Sequence, residues 1–104
     1  MDIVFRAWDG KNMEYLDLSY LYWRGEETGH YDFPDGCDIM LFAGFKDKHG
    51  KDIYEGDIAT YKHLREEVIF ENGCFRFKDW RLLKDIDWKF WEIIGNIYEK
   101  QWNT

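Results

Sequence analysis

The chain has 104 residues, a net charge of -7, and 45% hydrophobic against 34% charged residues. That length suits one domain, typically about 100–200 residues, and the reading is a single domain over residues 1–104. No apolar run approaches the ~18 residues of a membrane helix, and an acid excess repels phosphate backbones. A membrane span is therefore excluded and nucleic acid disfavoured.

Six Trp, seven Tyr and eight Phe supply the core, since each aromatic buries about 150–250 Å². From Asp9 to Asp38 eight acids face only Lys11 and Arg24, whereas from Thr60 to Arg81 five cations slightly outnumber four acids. The acidic half reads first as a solvated surface that keeps an aromatic-rich chain soluble. Cys37 and Cys74 form no Cys-x-x-Cys pattern, and Met1–Arg6 has no signal-peptide character. The expectation is a cytoplasmic protein with reduced thiols.

In chain order, residues 2–8 alternate as a strand, with Ile3, Phe5 and Ala7 on one side and Val4, Arg6 and Trp8 on the other. Asp9-Gly10-Lys11-Asn12 supplies a turn. Residues 13–23 fit either a helical stripe (Met13, Leu16, Tyr20, Trp23) or a strand, and strand is favoured. Residues 28–38 read as loop and 39–42 as a short strand. Tight turns follow at Asp47–Gly50 and Glu55–Asp57, with Gly44 grouped among the turn glycines and residues 58–63 as a strand.

Asn72-Gly73 between alternating apolar residues is the strongest short hairpin signal. Its two-residue loop pairs Glu71 with Cys74, Phe70 with Phe75, Ile69 with Arg76, and Val68 with Phe77. Val68, Phe70, Phe75 and Phe77 then share a core face. Residues 78–88 form a short helix or a bent connection, and 91–98 close the fold as a strand. The predicted core is Phe5, Trp8, Phe70, Phe75, Phe77, Ile94 and Ile97. Turn signals at this spacing predict a mainly β fold, a small SH3-like or barrel-type domain with at most one short helix.

Three segments carry a family likeness: Phe5–Asp9 (FRAWD), Gly44–Ile58 (GFKDKHGKDIYEGDI) and Ile93–Glu99 (IIGNIYE). Together they resemble the YopX family of small phage and prophage proteins. The resemblance implies a mainly β, barrel-like fold and a phage or prophage setting. It implies no catalytic role for any of these positions.

The residues themselves offer no catalytic pattern. His30, His49 and His63 share no metal-ligand spacing with the cysteines. Asp47, Asp52, Glu55 and Asp57 do not fit a calcium loop and are interleaved with Lys46, Lys48 and Lys51. Asp47 and Asp57 are better read as turn residues whose carboxylates accept backbone N–H groups. No catalytic residue, cofactor or metal is assigned, and the protein is expected not to be an enzyme.

Binding is the remaining class. The favoured reading is contact with a host or phage protein through Tyr20, Tyr22, Trp23 and Arg24, residue types enriched at binding hot spots. The alternative is a single-stranded nucleic-acid-binding small β-barrel that uses Lys62, Arg65, Arg76, Lys78, Trp80 and Arg81. A homo-oligomer built on an exposed sheet edge or an aromatic patch is compatible with either.

Overall fold

The computed structural model describes residues 3–17 and 37–99, which form eight strands: β1 (Ile3–Trp8), β2 (Met13–Asp17), β3 (Asp38–Lys46), β4 (Asp52–Tyr54), β5 (Asp57–Tyr61), β6 (Leu64–Glu71), β7 (Cys74–Phe77) and β8 (Glu92–Asn96). The fold is mainly β, with two four-stranded antiparallel sheets ordered β2-β1-β3-β4 and β7-β6-β5-β8. Among the described residues there is no α-helix. The connection after β7 is bent and contains two single 3-10 turns, Leu83–Asp85 and Trp88–Phe90.

The chain divides into two compact units, residues 1–41 and 42–104, with the division inside β3. In the first, β1 pairs with β2 through Arg6–Tyr15 and Ala7–Glu14, and with β3 through Arg6–Met40 and Ala7–Ile39. Flanked by a strand on each edge, β1 buries Phe5, Ala7 and also Arg6, which is 2% exposed. The Arg6 Nε donates to the Met40 Sδ at 3.4 Å. At the end of β1, the Asp9 carboxylate accepts the N–H groups of Lys11 and Asn12, each at 2.8 Å, and closes the turn expected there.

In the second unit Ile53, Ala59, Val68, Phe77, Leu83, Trp91 and Ile93 form the core. Phe77 and Trp91 meet at a ring separation of 4.9 Å, and Trp88 closes over Phe77 at 5.8 Å. The Asn72-Gly73 hairpin has the expected register, Val68–Phe77 through Glu71–Cys74. Its core face is buried only at the base: Val68 and Phe77 are fully buried, Phe75 is half-buried, and Phe70 is 38% exposed. The reason is strand coverage. Strand β5 pairs with β6 only from Leu64 to Glu67, so Phe70 lies past its end and packs on Phe75 at 4.7 Å.

Two bulges interrupt the alternation of faces along β8 and β3. Opposite β5, Ile58 pairs with Gly95 and Ala59 with Ile93, leaving Ile94 as an extra residue. One inserted residue exchanges the two faces of a strand. Ile93 and Asn96 are therefore buried, Ile94 is half-buried, and Ile97 is 37% exposed instead of lying in the core. In β3, Phe42 pairs with Tyr54 and Lys46 with Asp52, so the strand carries surplus residues around Gly44. Gly44 has φ +89°, a conformation that glycine adopts readily, and it occupies a strand irregularity instead of a turn.

Asp47 ties this unit together. Its carboxylate accepts the N–H groups of His49 (2.8 Å) and Lys51 (2.9 Å) within its own turn, and that of Ile93 (2.8 Å) on β8. Beside it, the Lys48 N–H donates to the Trp91 carbonyl at 3.0 Å. Asp57 accepts the Tyr54 N–H at 2.8 Å, so both aspartates hold backbone as expected. Burial raises the Asp47 pKa, but the donors from Ile93, Lys51 and His49 outweigh it and hold the carboxyl below its ordinary value.

Asp47→Asn, which keeps the size and removes the charge, is expected to lower unfolding stability by about 3 kcal/mol in chemical denaturation, since hydrogen bonds to charged groups contribute about 1.5–3 kcal/mol each. The native pKa is depressed, so the Asp47 contribution is complete above about pH 4, the ordinary carboxylate value. It is lost as pH falls through the lower native value. Denaturation midpoints measured from pH 7 to pH 2 should fall less steeply for the variant, and parallel curves would show that the carboxylate charge contributes nothing.

Candidate functional site

After β7 the chain doubles back in a three-residue loop, Lys78-Asp79-Trp80. The Phe77 N–H donates to the Arg81 carbonyl at 2.8 Å, the Trp80 N–H to the Phe77 carbonyl at 3.1 Å, and Arg76 bridges to Leu82. The same hydrogen-bond pattern closes the turn after β3. There the Asp47 N–H donates to the Lys51 carbonyl and the Gly50 N–H to the Asp47 carbonyl, both at 2.9 Å. The third loop residue takes positive φ in each, +83° at Gly50 and +86° at Trp80. Loops of this kind call for glycine at that position. A bulky side chain there costs on the order of 1–3 kcal/mol and marks a site to be examined for function.

The ring so placed faces solvent, for Trp80 is 76% exposed. It is also held. The Arg76 guanidinium lies over it at 4.2 Å from the ring centre. Arg76 is itself fixed by donating to the carbonyls of Phe77 (3.0 Å) and Lys78 (3.4 Å) and by an ion pair with Glu71. Its side chain is only 11% exposed. Alternation along β7 directs Arg76 away from the core face of Phe75 and Phe77, which leaves its guanidinium available as a platform for the ring.

Ion pairs surround the platform. Lys78 pairs with Glu67 at 3.2 Å, and Arg81 with Asp79 at 2.7 Å and Glu66 at 3.8 Å. The bond to Arg81 holds Asp79 below its ordinary pKa. Burial and the neighbouring Asp79 charge push Glu66 up. Arg81 also lies over Phe77 and Trp91, at 5.4 and 5.2 Å from the ring centres, and joins the surface to the core beneath.

Of the residues singled out from sequence, Arg76, Lys78, Trp80 and Arg81 come together here. Lys62 sits in the turn between β5 and β6, and Arg65 is exposed on β6 opposite Thr60. Tyr20, Tyr22, Trp23 and Arg24 lie outside the described residues. What sequence reading missed is the pairing: the four acids of this stretch, Glu66, Glu67, Glu71 and Asp79, supply a carboxylate to every cation beside Trp80. Their signal was the cross-strand register, which already set Glu71 beside the hairpin turn and Glu67 opposite Lys78. Cys37 and Cys74 are free thiols. Among the described residues no three His, Cys, Asp or Glu gather to hold a metal, and no helix is long and apolar enough to cross a membrane.

A family model described as YopX protein matches residues 4–101. Among solved structures, the chain is similar to protein EF1440 from Enterococcus faecalis, with 24% identity, 96% of each chain covered and a TM-score of 0.62. It is also similar to protein yopX from Bacillus subtilis, with 23% identity, 94% of each chain covered and a TM-score of 0.57. At these identities the likeness concerns the fold. No curated protein matches the chain.

If the Trp80 backbone is strained, Trp80→Gly will be more stable than Trp80→Ala by about 1 kcal/mol, because both lose the ring and only alanine keeps a Cβ at positive φ. Thermal melts of the two variants check this. The usual order, alanine above glycine, would show an unstrained loop.

Proposed function

The chain belongs to the YopX family, and we propose that it serves there as a small non-enzymatic module that binds a protein partner on the surface around Trp80. The observation that carries this reading is a tryptophan in a glycine position, 76% exposed and stacked on a fixed arginine. Tryptophan and arginine dominate binding hot spots, and a rigid ring loses little conformational freedom on contact. The charged pairs around it form the kind of polar rim that surrounds such anchors.

The electrostatics favour a protein over a nucleic-acid strand. Arg76, Lys78 and Arg81 face Glu66, Glu67, Glu71 and Asp79, so three cations meet four carboxylates. A phosphate backbone would have to displace these partners and gains affinity only from charge it can neutralise. Asp47 and Asp57, the best-placed carboxylates of the family segment, are occupied by backbone donors, which supports a role without acid–base chemistry. The partner class is a host or phage protein, in keeping with the phage or prophage setting that the family resemblance implies.

The test is a pull-down from host lysate with and without nuclease, with wild type, Trp80→Ala and Arg76→Ala compared at matched thermal stability. Wild type should retain a protein partner. Truncating the anchor should weaken its binding by at least about 30-fold, corresponding to the roughly 2 kcal/mol that defines a hot spot. Arg76→Ala should weaken it less, by releasing the ring. A partner held equally by all three would overturn the reading, as would recovery of nuclease-sensitive material alone.

A further inference from the structure

A second surface of the residue 42–104 unit has the opposite electrostatics. Lys48 from the turn after β3, Tyr61 and Lys62 from the β5–β6 turn, Lys89 and Phe90 from the second 3-10 turn, and Glu92 at the start of β8 line a cleft of about 380 Å³. Clefts of about 300–1,000 Å³ are the usual size for small-molecule ligands. In a chain of net charge -7, this cleft gathers three ammonium groups around one carboxylate.

Those ammonium groups are held loosely. Lys48 is 3.8 Å from Glu92, which His49 shares at 3.6 Å, and Lys89 is 3.7 Å from Asp87. Exposed pairs of this length contribute little and yield readily to a better anion. Lys62 has no carboxylate partner among the described residues and lies 5.3 Å from the Tyr61 ring centre. Between the lysines sit two aromatic rings, Tyr61 and Phe90, with centres 5.9 Å apart. Phe90 is 49% exposed. Tyr61 is backed by Trp91 at 5.5 Å and so does not shift when a ring is laid on it.

The backbone points the same way. Tyr61 pairs with Leu64, so Lys62 and His63 form a two-residue turn, and Lys62 has φ +57°. Hairpin turns with positive φ at the first central position favour glycine or asparagine. A lysine kept there at a local cost is the kind of outlier from which function is inferred.

We propose that this cleft binds a nucleoside phosphate, with Lys48, Lys62 and Lys89 taking the phosphate and the Tyr61–Phe90 rings stacking the base. Stacking accepts any base. Glu92, whose contacts with Lys48 and His49 are both longer than a hydrogen bond, keeps its carboxylate oxygens open to an N–H or O–H of the base or sugar. An acidic peptide meets the lysines but gives the rings nothing planar to stack. The same chemistry comes from a free nucleotide or from a residue of a single strand. The site is independent of the Trp80 surface.

The experiment is a ¹⁵N-resolved NMR titration at low salt with three probes: AMP, an oligothymidylate, and inorganic phosphate. AMP should shift the amides of Lys48, residues 60–62 and residues 89–92. Its affinity should fall at least 10-fold in Lys62→Gly, which removes the charge and relaxes the turn, and in Phe90→Ala. Binding should weaken as salt rises. Tighter binding of the oligonucleotide than of AMP assigns the source to a single strand, and the reverse assigns it to a free nucleotide. No shift at these amides with either nucleotide probe would overturn the proposal. So would phosphate binding as well as AMP with no effect of Phe90→Ala.

Discussion

The Asp47 carboxylate accepts three backbone N–H groups, two from its own turn and one from Ile93 on β8. Through that one side chain a local turn becomes a long-range tie between the β3–β4 connection and a strand that pairs elsewhere, on β5. Two residues that line the cleft adjoin the tie: Lys48 follows Asp47, and Glu92 precedes Ile93. The Lys48 N–H to Trp91 carbonyl bond doubles the tie. The distance between Lys48 and Glu92 is therefore governed by buried hydrogen bonds beneath them and not by the weak ion pair between their own side chains.

Positive φ links the two surfaces proposed for binding. Outside glycine it occurs at Lys62, Asn72 and Trp80 among the described residues. Asn72 is the ordinary case, since asparagine tolerates that conformation in an Asn-Gly turn. Lys62 and Trp80 have no such excuse in their side chains. One brings an ammonium to the cleft, and the other presents an indole on Arg76. Each loop thus keeps a residue that a search for stability alone would replace.

The parts of this fold that were legible in sequence are those set by neighbours along the chain. Asn72-Gly73 fixes a two-residue loop, and the register of four residue pairs follows. Asp47, Gly50 and Asp57 were identifiable as turn residues because their preferences are local. What escaped depends on distant pairing. Whether Ile93 or Ile94 faces the core is decided by the bulge opposite Ile58 and Ala59, and nothing within β8 announces it. Trp80 stood out only for its basic neighbours. Its strained backbone follows from the Arg76–Leu82 bridge, and its acidic surroundings from strand β6. The cleft joins three separate stretches of chain, so Lys89 and Phe90 drew no notice beside Lys62, and Lys48 was read only as a charge among the turn acids.

The Asp47–Ile93 tie spans 46 positions, whereas the hairpin around Asn72-Gly73 closes over two. Closing a long loop costs entropy that only later contacts recover, so local hairpins have the advantage early in folding. The tie then belongs to the late side of the folding barrier. Its weakening leaves the folding rate nearly unchanged and shows as faster unfolding. Asp47 in this light sets how long the native state persists more than how quickly it is reached.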